Sequence, residues 1–432
     1  MPTMQDWAQR AKQVIAGGTT HDSWAAACPP VFERAEGAYK WDAAGRQYID
    51  FWMGHGALIV GHAHPAVNQA LAAQLQRGSH LAGNHTLLVR WAEKVVQLVP
   101  SAQQVRFCAS GTEATLLAMR LARAYTRRAG MVRIDGHFHG WHDEALAGVF
   151  AGWPIGAHPQ AAGHLQVVPP YEPEQVEAAL AAGEVAAVIL EPGGGSGGTL
   201  PYDAAYLQRL RDITRRYGVL LIFDEVMSGF RYAPGGVQQL SGVTPDITTL
   251  SKVLCGGLPG AAVAGSQDVM ACFDRGHADK VLHTGTFNGN PLSAAAGLAT
   301  LTLAADATLQ TTLERNTALF VEAVNARAAR AGVDIRLFHQ SSIFHILIGA
   351  LDAGVAIAPS EDAVWITQKN AAQYDALKQH LAQQGIDMHK SHGWLSASHT
   401  HTVLEAAAEK FAAAFDRLRN QSGRAAEGVR HD

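Results

Sequence analysis

Cysteine is scarce in this chain, with four among 432 residues. Cys28, Cys108, Cys255 and Cys272 lie far apart and none forms a CxxC pair, so neither a zinc site nor a disulfide framework is indicated. A reducing, cytoplasmic setting is the expectation. Basic tracts are missing too. Lys and Arg number 34 against 38 Asp and Glu, the net charge is −4 and the pI is near 6.6, which points to no nucleic-acid partner. No apolar run approaches membrane-spanning length. The opening MPTMQDWAQRAKQVIAGG reads as an amphipathic helix broken by charges, neither a secretory signal nor a span, so no membrane partner is expected. The 21 histidines are many, but His137, His139 and His142 lack the i, i+4 spacing beside an acid that a metal site needs. No metal is expected, and no internal repeat is visible.

What remains is the profile of a globular protein, 48% hydrophobic and 17% charged, long enough for two domains with substantial cores. Through the middle, short apolar runs at 105–108, 132–134, 185–190 and 219–223 alternate with helical patterns such as ATLLAMRLARAYTRR and YLQRLRDITRRYG. This βαβ rhythm predicts a mostly parallel sheet with helices on both faces and ligands at the carboxyl ends of its strands. Beyond residue 300, alanine-rich helical patterns flank short strands and predict a smaller α+β domain. The last dozen residues are polar and glycine-containing and predict a frayed tail.

Lys252 follows the apolar run 247–250, and the strand pattern at 219–223 ends on Asp224-Glu225-Val226. A lysine and an acid at neighbouring strand ends are the minimum apparatus for pyridoxal phosphate (PLP). The amine forms a Schiff base and the carboxylate keeps the pyridine nitrogen protonated. Ser110-Gly111-Thr112-Glu113 lies between a strand and a helix, which suits either a phosphate on exposed N–H groups or a plain N-cap. The loop 136–142, GHFHGWH, offers an aromatic ring to stack on a planar cofactor, or to pack in a turn. Glu191 ends another strand ahead of a glycine run that leads into no helix, so a dinucleotide loop is a weak reading there. The segment 283–291, HTGTFNGNP, suits a phosphate or an ordinary turn and cap.

In order, SGTEA (110–114), GHFHGWHD (136–143), LEP (190–192), FDEVMSGFR (223–231), LSK (250–252) and GTFNGNP (285–291) resemble the signature of class III aminotransferases. The resemblance runs from about Val14 to about Leu418. It implies the α/β aspartate-aminotransferase fold (fold type I): a large domain with a central, mostly parallel seven-stranded sheet, plus a smaller α+β domain. Residues 51–300 would form the large PLP-binding domain, 301–432 the small domain, and 1–50 a segment packing with the latter. The segments GGTT (17–20), DEVMSGFR (224–231) and LSASHT (395–400) look most like the glutamate-1-semialdehyde aminomutase and β-amino-acid transaminase branch.

By the same resemblance Lys252 and Asp224 would be catalytic. Ser110, Gly111 and Thr112 would hold the cofactor phosphate, Phe138 and Val226 would sandwich the ring, and His139 and Glu191 would complete the cofactor contacts. Thr286 would reach the phosphate of the neighbouring protomer, which implies a homodimer. Ala109, often Asn, and Phe138, often Tyr, are mild departures. A larger one is the absence of any arginine between Lys12 and Arg34, where relatives in this branch grip a substrate carboxylate. His21 and Trp24 stand in that loop, and Lys390 and His392 in the C-terminal loop where some relatives place another arginine. The expectation is an aminotransferase taking its amino group from an amine, or from an atypical amino acid whose acid is read by Lys390, His21 or Arg231, and passing it to a keto acid or aldehyde. An aminomutase or racemase is the alternative, and a cofactor-free binding protein the reading from another class.

Overall fold

The computed structural model describes residues 3–21, 30–146, 155–194, 203–349 and 370–428. Its strands in chain order are β1 Phe32–Glu36, β2 Tyr39–Asp42, β3 Gln47–Asp50, β4 Gln104–Cys108, β5 Gly130–Ile134, β6 Leu165–Val168 and β7 Val185–Leu190. They continue with β8 Leu220–Glu225, β9 Ile247–Leu250, β10 Ala261–Gly265, β11 Ile335–Gln340, β12 Ile343–Ile348, β13 Ile386–Asp387 and β14 His392–Trp394. The chain divides into two units, Pro65–Thr311 and the combination of Met1–His64 with Thr312–Asp432.

The unit Pro65–Thr311 is built on a seven-stranded sheet of order β4-β10-β9-β8-β7-β5-β6. Neighbours from β9 through β6 run parallel, and β10 runs antiparallel to both β9 and β4. The central strands are buried along their whole length, as both faces of a helix-covered parallel sheet must be. Side chains alternate between two cores, since successive residues of a strand point to opposite faces. Ala187, Ile189, Leu220 and Ile222 pack with Leu117 and Leu121 of the helix Gly111–Thr126. Val188, Leu190, Leu221 and Phe223 pack with Leu207 and Leu210 of the helix Ala204–Tyr217. That parity sends Asp224 toward the first core and Glu225 toward the second. The carboxyl ends of β4, β5, β7, β8 and β9 share one edge.

In the other unit, β1, β2, β3 and β13 form one sheet, and β11, β12 and β14 an antiparallel one. Phe51, Phe320, Phe344 and Phe411 cluster with neighbouring ring centroids 5.1 to 6.4 Å apart. Asp50 and Asp387 are paired in register on the parallel strands β3 and β13, and the Lys40 ammonium bridges both carboxylates. The final helix, His401–Gly428, runs through most of the segment for which the sequence predicts a frayed tail. The stretch Arg424-Ala-Ala-Glu is made of good helix formers that extend a helix already nucleated upstream.

Candidate active site

Strand β8 delivers Asp224 to the shared carboxyl edge, almost wholly buried. Its Oδ1 accepts from the Thr249 hydroxyl at 2.8 Å and from the Val226 N–H at 3.1 Å. Its Oδ2 lies 2.7 Å from His139 Nδ1. Because a carboxylate accepts only, that ring nitrogen carries a proton, and the buried Nε2 has no partner among the described residues. Glu225, the next residue, turns to the other face and accepts from Ser228, the Val237 N–H and the Gln238 side chain. These bonds pin the turn that follows the site.

Lys252 leaves β9 with φ +51, a left-handed conformation that side chains avoid and that costs about 1 kcal/mol or more. Its side chain is half-buried yet densely surrounded by protein. That desolvation pushes its pKa below the ordinary 10.5, reinforced by Arg231 and opposed by Asp224 and Glu191. The amine therefore loses its proton more readily than a surface lysine.

The helix Gly111–Thr126 starts beside this pair. Ser110 is its N-cap: the hydroxyl accepts from the Glu113 N–H at 3.3 Å, and Glu113 Oε2 takes the N–H groups of Ser110 and Ala109. The capping reading of Ser110 is thus realised. It leaves the Gly111 and Thr112 N–H groups without acceptors among the described residues, at the positive end of the helix dipole. A Cβ on Gly111 would lie 3.1 Å from Val226, so glycine opens the space between helix start and Val226.

The loop after β5 closes over the helix start. Gly140 has φ +98, and a Cβ there would lie 2.8 Å from the Thr112 hydroxyl, so glycine is required on both counts. The Thr115 hydroxyl donates to the His139 carbonyl at 2.5 Å. Glu191 Oε1 accepts the Phe138 N–H at 2.7 Å, and the Glu191 N–H donates to His137 Nδ1 at 2.8 Å. Burial holds His137 well below its ordinary 6.5, so it stays neutral and able to accept. Buried Arg133 donates to the carbonyls of His137 and Ala145. The Phe138 ring stays 39% exposed, free to meet a planar group.

These residues fit PLP. Two free amides suit a phosphate, a buried carboxylate suits a pyridinium, and a desolvated amine suits a carbonyl. The orphaned His139 Nε2 and the space that a side chain at 111 would fill mark a cradle left open by the protein itself. Among the described residues, no group of three His, Cys, Asp or Glu could hold a metal ion.

Of the remaining predicted site residues, Arg231 and Thr286 belong to the same unit, and His21, Lys390 and His392 to the other. Thr286 is exposed, on a loop tied down through its own carbonyl to His80 and through the Gly289 carbonyl to His85. Arg231 is wholly buried, which brings its guanidinium down to about 10. His21 lies in the other unit, its ring centroid 5.0 Å from that of His55, at a cavity of about 610 Å³ also lined by Trp7, Arg10, Lys40 and Asp50. Lys390 is matched by Asp375 at 2.9 Å, and buried His392 stacks on His389 at 3.9 Å. Trp24 lies outside the described residues. Sequence reasoning passed over Thr249. Its only signal there is a polar doublet, Thr248-Thr249, inside a short strand otherwise built of Ile and Leu.

A family model, Aminotransferase class-III, matches residues 21–336. The glutamate-1-semialdehyde 2,1-aminomutase of Laribacter hongkongensis (strain HLHK9) is 35% identical over 434 residues, covering 97% of this chain and 100% of its own. Among solved structures, an omega-transaminase from Sphaerobacter thermophilus superposes with a TM-score of 0.88 at 33% identity, over 96% of this chain and 98% of its own. A transaminase with PLP bound gives a TM-score of 0.87 at 28% identity, over 98% and 99%.

Proposed function

The chain belongs to the class-III aminotransferase family of PLP-dependent enzymes, and on that premise we propose that it takes its amino group from an amine or atypical amino acid without a conventional carboxylate clamp and passes it to a keto acid or aldehyde. PLP supplies an electron-withdrawing ring that accepts the electron pair released when a C–H bond of the bound amine breaks. The protein does the rest. The Gly111 and Thr112 amides would take the phosphate, and the Asp224 carboxylate would hold the ring nitrogen. Phe138 offers its exposed ring face to the cofactor. Lys252, readily deprotonated through burial, takes the proton from the substrate carbon and returns it to the product, a step for which a held base is worth about 10²–10⁴-fold.

The observation that carries the donor assignment is the missing arginine between Lys12 and Arg34. Lys390, one of the three candidates to read a carboxylate, already faces Asp375. The test is a panel of simple amines and of α- and β-amino acids offered with pyruvate, scored by keto product. Turnover of simple amines is expected. Turnover confined to amino acids would refute the assignment.

An aminomutase is the second reading, favoured by the full-length likeness to the Laribacter enzyme of that name. It returns the amino group to the skeleton it came from. Stoichiometric transfer to added pyruvate separates the two. A homodimer is also proposed, with Thr286 completing the neighbouring site. Supporting it are the exposed Leu282 (73%) and Phe287 (64%) flanking Thr286 on a well-anchored loop. The free, buried thiols of Cys108, Cys255 and Cys272 support a cytoplasmic setting.

A further inference from the structure

We infer that Thr249 is a positioning residue for amino transfer: its hydroxyl fixes Oδ1 of Asp224 and leaves Oδ2, beside His139, as the oxygen that receives the cofactor's ring N–H. The inference rests on the PLP reading above and adds to it which atom of Asp224 does the work and what aims it.

Thr249 is completely buried and is the cross-strand partner of Asp224 in the parallel ladder of β8 and β9. In a buried strand the default residue of this shape is valine. A buried hydroxyl is unfavourable unless it is hydrogen-bonded. Here that bond goes to the carboxylate, at 2.8 Å. The neighbouring Thr248 shows the other use of such a hydroxyl. It points to the opposite face and joins Ser101 and Gln238, whose amide in turn supports Glu225. The doublet thus serves two carboxylates on two faces, and only one of them lies at the site.

Acceptor capacity then assigns the oxygens. Each carboxylate oxygen accepts two good hydrogen bonds. Oδ1 receives Thr249 and the Val226 N–H and is filled, whereas among the described residues Oδ2 receives His139 alone and keeps one lone pair. A β-branched side chain in a strand has little rotamer freedom, so the Thr249 hydroxyl is a fixed donor that holds the carboxylate against rotation.

The test compares Thr249→Val, which keeps the shape and loses the donor, with Thr249→Ser, which keeps the donor. Three quantities are measured: the PLP dissociation constant of the apoenzyme, the pH midpoint of the bound cofactor's visible band, and the apoenzyme Tm. Thr249→Val is expected to bind PLP about tenfold or more weakly, the scale of one hydrogen bond to a charged group. Its band midpoint is expected to move, with an apo Tm no lower than that of Thr249→Ser. Thr249→Ser is expected to bind within a factor of about three of the parent, the donor being retained. Wild-type affinity and midpoint in Thr249→Val would overturn the inference, as would a Ser variant as impaired as Val, or a loss seen only in apo Tm. A wild-type protein that failed to bind PLP at all would overturn the PLP reading as well, so the two failures are told apart by the parent alone.

Discussion

At the scale of the residue, Lys252 combines a left-handed backbone with a desolvated amine. Both are unfavourable for folding, and both suit the proposed role of an aimed, unprotonated amine. The pH consequence has a definite sign. The folded pKa lies below the unfolded one, so the amine binds a proton more readily in the unfolded chain. Stability is therefore lost as pH falls from 10.5 through the depressed value. The apoenzyme of Lys252→Met is expected to melt at a higher Tm than the parent at pH 7, with the gap closing as pH approaches 10.5. A gap that widened with rising pH would contradict the burial argument. Lys252 and Asp224 stand out in the sequence because few residue types can do the chemistry proposed for them. Thr249 does not, because threonine in a strand is ordinary.

At the scale of the element, the helix start and the loop over it form one device. Ser110 caps the helix through Glu113, which leaves the Gly111 and Thr112 amides without acceptors among the described residues. The sequence left capping and phosphate binding as rival readings of this segment; in the fold Ser110 does the capping, and the proposed phosphate role passes to the adjacent Gly111 and Thr112 amides. Gly140 lets the loop carrying Phe138 and His139 press against Thr112. In Gly140→Ala the new methyl would meet Thr112 in a backbone region that alanine resists, so the loop must lift away. PLP affinity is expected to fall by about tenfold, while apoenzyme unfolding shifts by about 1–3 kcal/mol. Equilibrium dialysis and urea melts measure the two. Unchanged PLP affinity would show that the loop does not close the cofactor site.

At the scale of the whole molecule, the unit Pro65–Thr311 interrupts the other unit in sequence and carries every cofactor-side residue described. The other unit unites its two chain segments through the parallel pairing of β3 with β13 and the Lys40 bridge between Asp50 and Asp387. Losing Lys40 from this buried ionic cluster would strand two carboxylates without their counter-charge. The proposed homodimer belongs to this scale. Phe287→Asp places a charge on the exposed apolar loop and is expected to shift the protein toward monomer in analytical ultracentrifugation, with native circular dichroism and reduced amino transfer. A variant that stayed dimeric would remove this loop from the interface.

The sequence by itself determined the chemistry and the class of fold. Residue type marks a Schiff-base lysine and a pyridinium acid, motif order marks the family, and apolar runs alternating with helices mark a mostly parallel sheet. Tertiary structure alone decided which partners those residues have. That β10 runs antiparallel between β4 and β9 is invisible in the run AAVAG, since an apolar strand carries no direction. The pairing of Asp224 with Thr249 and with His139, and of Lys390 with Asp375, joins residues from separate elements. Local periodicity sets which face a side chain takes. Only the order in which strands and helices pack sets what it meets there.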